Sequence, residues 1–153
     1  MKRSYRSGVG IFLLNKKKKL WVGKRIDSTS NFWQMPQGGI DDKETENQAM
    51  MRELKEEIGT NNIKTLMISD EWFKYDLPND LVKNVWKGRY IGQTQKWYAC
   101  QFQGKDNEIK LDNFKPEFLE WKWIDLDMIT EVVVDFKLEV YKTLQKEVKS
   151  IIN

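Results

Sequence analysis

The residues of this sequence most able to do chemistry crowd one stretch. Glu53, Glu56 and Glu57 stand within five positions of one another, behind Arg52 and ahead of Gly59. On a helix they fall within an arc of about 100°, so three carboxylates share one side. Met50, Leu54 and Ile58 recur every fourth position on a neighbouring face. That face can dock on a sheet while the acids project sideways into a cleft. The cluster is unfavourable by itself. Glu53 and Glu57 are like charges one turn apart, a repulsion of about 0.2–0.5 kcal/mol. They also lie toward the helix C-terminus, where the dipole disfavours anions. Arg52, four residues before Glu56, relieves part of this. A hard cation among the carboxylates relieves more, because Mg²⁺ takes oxygen ligands, keeps several waters and leaves room for a substrate phosphate. A solvated acidic helix face would show the same three glutamates. The turn before the helix argues against that plainer reading: Pro36-Gln37-Gly38-Gly39 lets backbone approach a phosphate or metal closely.

Composition narrows the chemistry further. His is absent, which excludes His-based triads, His general bases and His metal sites. Cys100 is alone, so there is neither a disulfide framework nor a cysteine zinc cluster. A lone thiol fits a reducing compartment. With 26 Lys and Arg against 23 Asp and Glu, the net charge is +3, which permits a polyphosphate or nucleic-acid partner without demanding one. Catalysis must then rest on carboxylates, Lys, Arg, Tyr or bound metal. The 153 residues suit one domain spanning 1–153, and 40% hydrophobic content is enough for a packed core. Val9 to Leu14 is too short for a signal sequence, and no run reaches membrane-spanning length. The expectation is a cytoplasmic protein.

With its flanks, the acidic segment resembles the Nudix box: Gly38, five residues, Glu44, seven residues, then Arg52-Glu53-Leu54-Lys55-Glu56-Glu57-Ile58-Gly59. Every charged and glycine position of that signature is met, and Thr60 stands where an aliphatic residue is usual. Further stretches cover nearly the whole chain in order: Tyr5-Arg6, Trp33 to Gly39, Trp72 to Pro78, Ile91 to Tyr98, Pro116-Glu117-Phe118, Trp121-Lys122-Trp123 and Val133 to Lys137. These resemble the bacterial Nudix hydrolases that act on the 5′ end of RNA and on dinucleoside polyphosphates.

The resemblance implies an α+β fold, an α/β/α sandwich around a mixed sheet. It implies metal-dependent hydrolysis of a 5′-triphosphate end of RNA to a monophosphate and pyrophosphate. Asymmetric hydrolysis of diadenosine tetraphosphate is the alternative. Glu53, Glu56 and Glu57 would hold divalent ions, Mg²⁺ first and otherwise Mn²⁺ or Zn²⁺, with the Gly38 carbonyl as a further ligand. Glu117 would add an acid from outside the helix, with Glu120 as its competitor. Glu53 or Glu57 would be the base, Arg52 would orient the glutamates, and Glu44 would be structural. Arg6, Arg25, Tyr75 and Lys137 would contact the 5′ phosphates, and Phe136 would stack on a terminal base. Tyr75, Trp97 and Phe136 as packing residues, and Arg6 and Arg25 as solvated cations, are the competing readings. Membrane and DNA are not expected as partners. Ser7, where the group commonly has Pro, and the long loop Ile26–Phe32 bear on the geometry of the 5′-end pocket.

These residues need elements to position them. Thr45 precedes a helical pattern and Gly59 follows it, giving a helix at about 45–58. Val9 to Leu14 and Leu20 to Val22 read as strands, so the lysine run 16–19 is a hairpin tip where charge stays solvated. Residues 26–39 read as loop, Ile63 to Tyr75 as one strand with irregular ends, and Leu77 to Gly92 as loop-rich. Gln95 to Phe102 and Phe118 to Ile124 read as strands, and Asp125 to Thr130 as a helical turn. From Asp135 onward, Tyr141, Leu144, Val148 and Ile151 form one helix face, with Lys137, Lys142, Lys146 and Lys149 as polar cover.

Overall fold

A computed structural model describes residues 4–26, 31–112 and 115–152. The centre of the loop Ile26–Phe32 therefore lies outside the described residues. Strand β1 (Ser4–Leu14) turns into β2 (Leu20–Arg25) through a tip closed by the Asn15 N–H donating to the Lys19 carbonyl. After β3 (Gln37–Gly39) comes helix α1 (Glu46–Ile58), then β4 (Ile63–Ile68), β5 (Phe73–Asp76) and the short α2 (Asn79–Val82). Strand β6 (Tyr90–Phe102), β7 (Phe118–Ile124), the short α3 (Ile129–Val132) and α4 (Leu138–Ile152) complete the chain. Among the described residues seven strands form one mixed sheet, β4-β6-β1-β2-β7, with β3 added to β1 and β5 to β6. The β1–β6 pair is parallel and the others are antiparallel.

Strand alternation divides the apolar residues between two cores. Val9, Ile11 and Leu13 of β1 and Tyr98, Cys100 and Phe102 of β6 pack with Ala49, Met50, Leu54 and Ile58 of α1. Phe12, Leu14, Trp97 and Ala99 face the other way, onto Tyr141, Leu144 and Val148 of α4. The α/β/α sandwich follows from that register. Trp97 is a core residue, edge-on to Phe12 and Tyr141. Helix α1 opens on a capping box. Thr45 Oγ1 accepts from the Gln48 N–H at 3.1 Å, and Gln48 Oε1 accepts from the Thr45 N–H at 2.9 Å. It closes on Gly59 at φ 82°, the left-handed stop that glycine adopts without strain.

The structure departs from the sequence expectations in four places. The strand expected over Ile63 to Tyr75 is two strands along β6. The Ser69 N–H donates to the Trp97 carbonyl, and Ser69 Oγ accepts from the Trp97 N–H. The hydroxyl takes the place of a ladder carbonyl and lets the chain kink. The segment expected as loop over 26–39 contains β3, and β6 starts at Tyr90 rather than Gln95 because β1 pairs with it back to Ser4. Helix α4 starts at Leu138, after a 3-10 turn over Asp135–Lys137. Its inward face runs on from Val148 to the half-buried Ile152 rather than to Ile151, which is 44% exposed, and Lys137 is buried at 6% exposure rather than serving as polar cover.

Candidate active site

Arg52 organises the acidic end of the site. Its Nε and Nη2 donate to the two Glu44 oxygens at 2.7 and 2.9 Å, and Nη2 also reaches the Gly39 carbonyl at 2.8 Å. Its Nη1 donates to Glu53 at 2.8 Å and Glu56 at 3.2 Å. One guanidinium thus ties α1 to the glycine turn and distributes its charge over three hydrogen-bonded carboxylates and a fourth, Asp41, at 3.5 Å. The Arg52 hydrogen bond holds the Glu44 carboxyl down at about 2, and the same contacts raise the Arg52 pKa.

Glu53 and Glu57 behave in the opposite sense. Glu53 is 9% exposed and Glu57 2%. Burial pushes the Glu53 carboxyl up to about 7 against the pull of Arg52, with Glu56 and Glu117 adding repulsion. Burial, then Glu117 and Glu53, push Glu57 well up too. Glu57 Oε1 accepts from the Gln37 N–H at 2.9 Å, while its buried Oε2 has no partner among the described residues. Gly38 makes this convergence possible, because a Cβ there would fall on the Glu53 carboxylate. A partnerless buried oxygen beside mutually repelling carboxylates fits a divalent cation, which would satisfy the oxygen and favour the ionised forms. Among the described residues no three acids already form a ready cation-binding group; Glu53 and Glu56 lean on Arg52 instead.

From these acids a cleft of about 690 Å³ runs along the sheet. Gly38, Glu53 and Glu117 line it, whereas Arg52, Glu56 and Glu57 lie outside its lining. Glu117 precedes β7 and pairs with Arg25 at 3.5 Å. Glu120 sits exposed on β7 opposite Lys24 and does not line the cleft. Arg6 of β1, Arg25 of β2, Tyr75 of β5, and Phe136 and Lys137 of the turn before α4 complete the sequence-derived set, and all five line the cleft. Burial, with Arg25 next, pushes the Lys137 ammonium down to about 8. Tyr75 is buried at 7% exposure, and its hydroxyl accepts from Gln93 Nε2. Its ring centroid lies 5.6 Å from that of Phe136. Packing and cleft-lining therefore coexist in both rings.

Trp33, Gln37 and Trp86 also line the cleft and were given no role from sequence. Trp33 and Gln37 lie in a stretch that carried the family resemblance. Trp86 lies in a segment read as loop, with no pattern to mark it.

The buried helix carboxylate Glu53, in a cleft that also holds Glu117 and whose other walls carry cations and aromatic rings, fits a class: enzymes that hydrolyse phosphoanhydrides with a divalent cation. The chain belongs to the Nudix family, and the NUDIX domain matches residues 4–144. It is 52% identical over 148 residues to the RNA pyrophosphohydrolase of Pelagibacter ubique (strain HTCC1062), covering 97% of this chain and 94% of that one. It is 45% identical over 152 residues to the RNA pyrophosphohydrolase of Wolbachia pipientis wMel, covering 99% and 93%. Solved structures share the fold. The E. coli dihydroneopterin triphosphate pyrophosphohydrolase superposes with a TM-score of 0.73 at 18% identity, covering 95% of this chain and 99% of that one. A C. elegans Ap4A hydrolase superposes with a TM-score of 0.65 at 16% identity, covering 94% and 98%.

Proposed function

We propose that this protein hydrolyses the 5′-terminal triphosphate of RNA to a 5′-monophosphate, releasing pyrophosphate. The observation that carries the reading is the cleft itself: Glu53 and Glu117 share one cavity with Arg6, Arg25, Lys137 and Phe136. A triphosphate can lie among the cations while the first unpaired base stacks on Phe136. The near full-length likeness to RNA pyrophosphohydrolases supports it.

Glu53, Glu56, Glu57 and Glu117, with the Gly38 carbonyl, would hold Mg²⁺, with Mn²⁺ or Zn²⁺ as substitutes. Bound there, the cation lowers the pKa of water and neutralises charge on the phosphates. Arg52 positions Glu53 and Glu56. Glu53 or Glu57 takes the proton of the attacking water, since the chain has no His. Arg6, Arg25 and Lys137 stabilise the departing pyrophosphate, with Tyr75 backing the Lys137 amine, which lies 5.5 Å from its ring centroid. We read residues 1–153 as one hydrolase domain, because both cores draw on strands from early and late in the chain, and place it in the cytoplasm, where its substrate is made. No helix among the described residues is long and apolar enough to cross a membrane.

Asymmetric hydrolysis of diadenosine tetraphosphate is the second reading. The same cations and ring suit a bridged tetraphosphate, and an Ap4A hydrolase shares the fold. The test is kcat/KM with Mg²⁺ on 5′-triphosphorylated RNA carrying an unpaired 5′ end, and on diadenosine tetraphosphate. A wide margin for RNA is expected, and a margin for the dinucleotide overturns the first reading. Glu56→Gln is expected to lose turnover at saturating Mg²⁺ with its fold intact. Retained activity would remove Glu56 from the metal site.

A further inference from the structure

Trp86 is a half-buried ring in the cleft wall, carried on unusual backbone. Trp86, Lys87 and Gly88 hold φ values of 49°, 58° and 71° in succession. Glycine adopts that region freely, but a bulky aromatic residue there is strained, and such strain persists only where the surroundings hold it. The Gly88 N–H donates to the Val85 carbonyl at 3.0 Å and the Arg89 N–H to the Trp86 carbonyl at 3.2 Å. Tyr90 meets the indole edge-on, with centroids 6.1 Å apart.

The Trp86 ring faces Arg6. The guanidinium carbon lies 5.2 Å from the ring centroid. Arg6 Nη1 donates to Gln93 Oε1 at 3.3 Å, and Gln93 donates in turn to the Tyr75 hydroxyl. The guanidinium also rests against Gly39, where any Cβ would collide with it. Ring, amide and glycine together leave this cation little freedom. Arg25 pairs with Glu117, but among the described residues no carboxylate pairs with Arg6. Its charge is held in place for an anion that enters the cleft.

We infer that Trp86 is a positioning residue: its ring face holds the Arg6 guanidinium in the cleft, ordering a phosphate-binding cation before substrate arrives. This rests on the phosphate role proposed for Arg6. Ordering a long cationic side chain in advance removes an entropic cost from binding, so the effect belongs mainly in KM.

The experiment is a double-mutant cycle over wild type, Trp86→Leu, Arg6→Gln and the pair. KM and kcat are read on 5′-triphosphorylated RNA and on diadenosine tetraphosphate. Affinity for inorganic tripolyphosphate, by calorimetry without added metal, is a readout independent of turnover. Trp86→Leu is expected to weaken KM and tripolyphosphate affinity about two- to thirtyfold, the range of a partly desolvated cation–π contact, with kcat falling less. Trp86→Phe keeps a ring face and is expected to recover most of the loss. Once Arg6 is Gln, Trp86→Leu is expected to add less than about twofold, because its partner is gone. Additive losses in the pair would overturn the inference, since the ring would then act on the substrate or the fold directly. A Trp86→Phe variant as weak as Trp86→Leu would overturn it as well. If Trp86→Leu does not fold, Trp86→Met, which also removes the ring face, completes the cycle in the two Arg6 backgrounds. Failure of the RNA reading shows separately, as wild type active on the dinucleotide alone, and the coupling is still read on that substrate and on tripolyphosphate.

Discussion

Replacing Glu53 by Gln tests the electrostatic account of the acidic end without relying on turnover. In the metal-free protein, burial holds the Glu53 carboxyl at about 7 instead of 4.5. Between those values the folded chain keeps a proton that the unfolded chain has released. The stability linked to Glu53 is therefore fully present below pH 4.5 and is lost as pH rises through about 7. A gap of about 2.5 pH units at about 1.4 kcal/mol each comes to about 3.5 kcal/mol. Allowing for relaxation around a Gln amide leaves about 2 kcal/mol, or about 4–8 °C in Tm for a chain of this length. The assay is thermal unfolding in EDTA at pH 5 and pH 8. Wild type is expected to lose several degrees between the two. Glu53→Gln is expected to melt higher than wild type at pH 8, close to it at pH 5, and to keep a reduced slope from Glu57. Added Mg²⁺ should reverse the order, since binding to the folded chain stabilises wild type more than the variant. A Glu53→Gln variant that melts no higher than wild type at pH 8 in EDTA, with an unchanged pH slope, would refute the reasoning.

Lys137 and Gly38 give two more tests. Burial lowers the Lys137 ammonium to about 8, so its charge is present below that pH and lost as pH rises through it. Because kcat/KM reports the free enzyme, a falling limb near pH 8 is expected. Lys137→Met should abolish that limb and lower kcat/KM at pH 7 about tenfold or more; a limb that survives the substitution removes Lys137 from phosphate binding. Gly38→Ala sets a methyl where the Glu53 carboxylate lies. Overpacking of about 1–3 kcal/mol should lower Tm by roughly 2–12 °C and kcat at least about 100-fold; near-normal turnover would show that Glu53 can move without loss.

The elements legible in the sequence are those whose signals are local. Thr45 and Gly59 bracket α1 because a cap and a left-handed stop are decided within one turn. The Glu53–Glu56–Glu57 arc follows from helical periodicity alone, and β7 coincides with Phe118–Ile124 as read. Gln95 to Phe102 reads as a strand from its sequence, and in the structure Trp97 and Ala99 face one core while Tyr98 and Cys100 face the other.

What only the tertiary structure decided is what burial and register decide. Ser69 breaks one apparent strand into two because its hydroxyl meets a backbone N–H 28 residues away. Lys137 reads as surface cover on a helical wheel, yet packing beside Tyr75 and Phe136 buries it. Trp86 carries no pattern of its own and reaches Arg6 through the fold. Glu57 is a helix glutamate like its neighbours until packing strips the water from it and leaves one oxygen without a partner. Spacing along the chain sets which side chains share a helix face or a strand face. Desolvation and the gathering of β1, β2, β5 and the turn before α4 around one cleft are long-range, because they depend on how strands far apart in sequence pair.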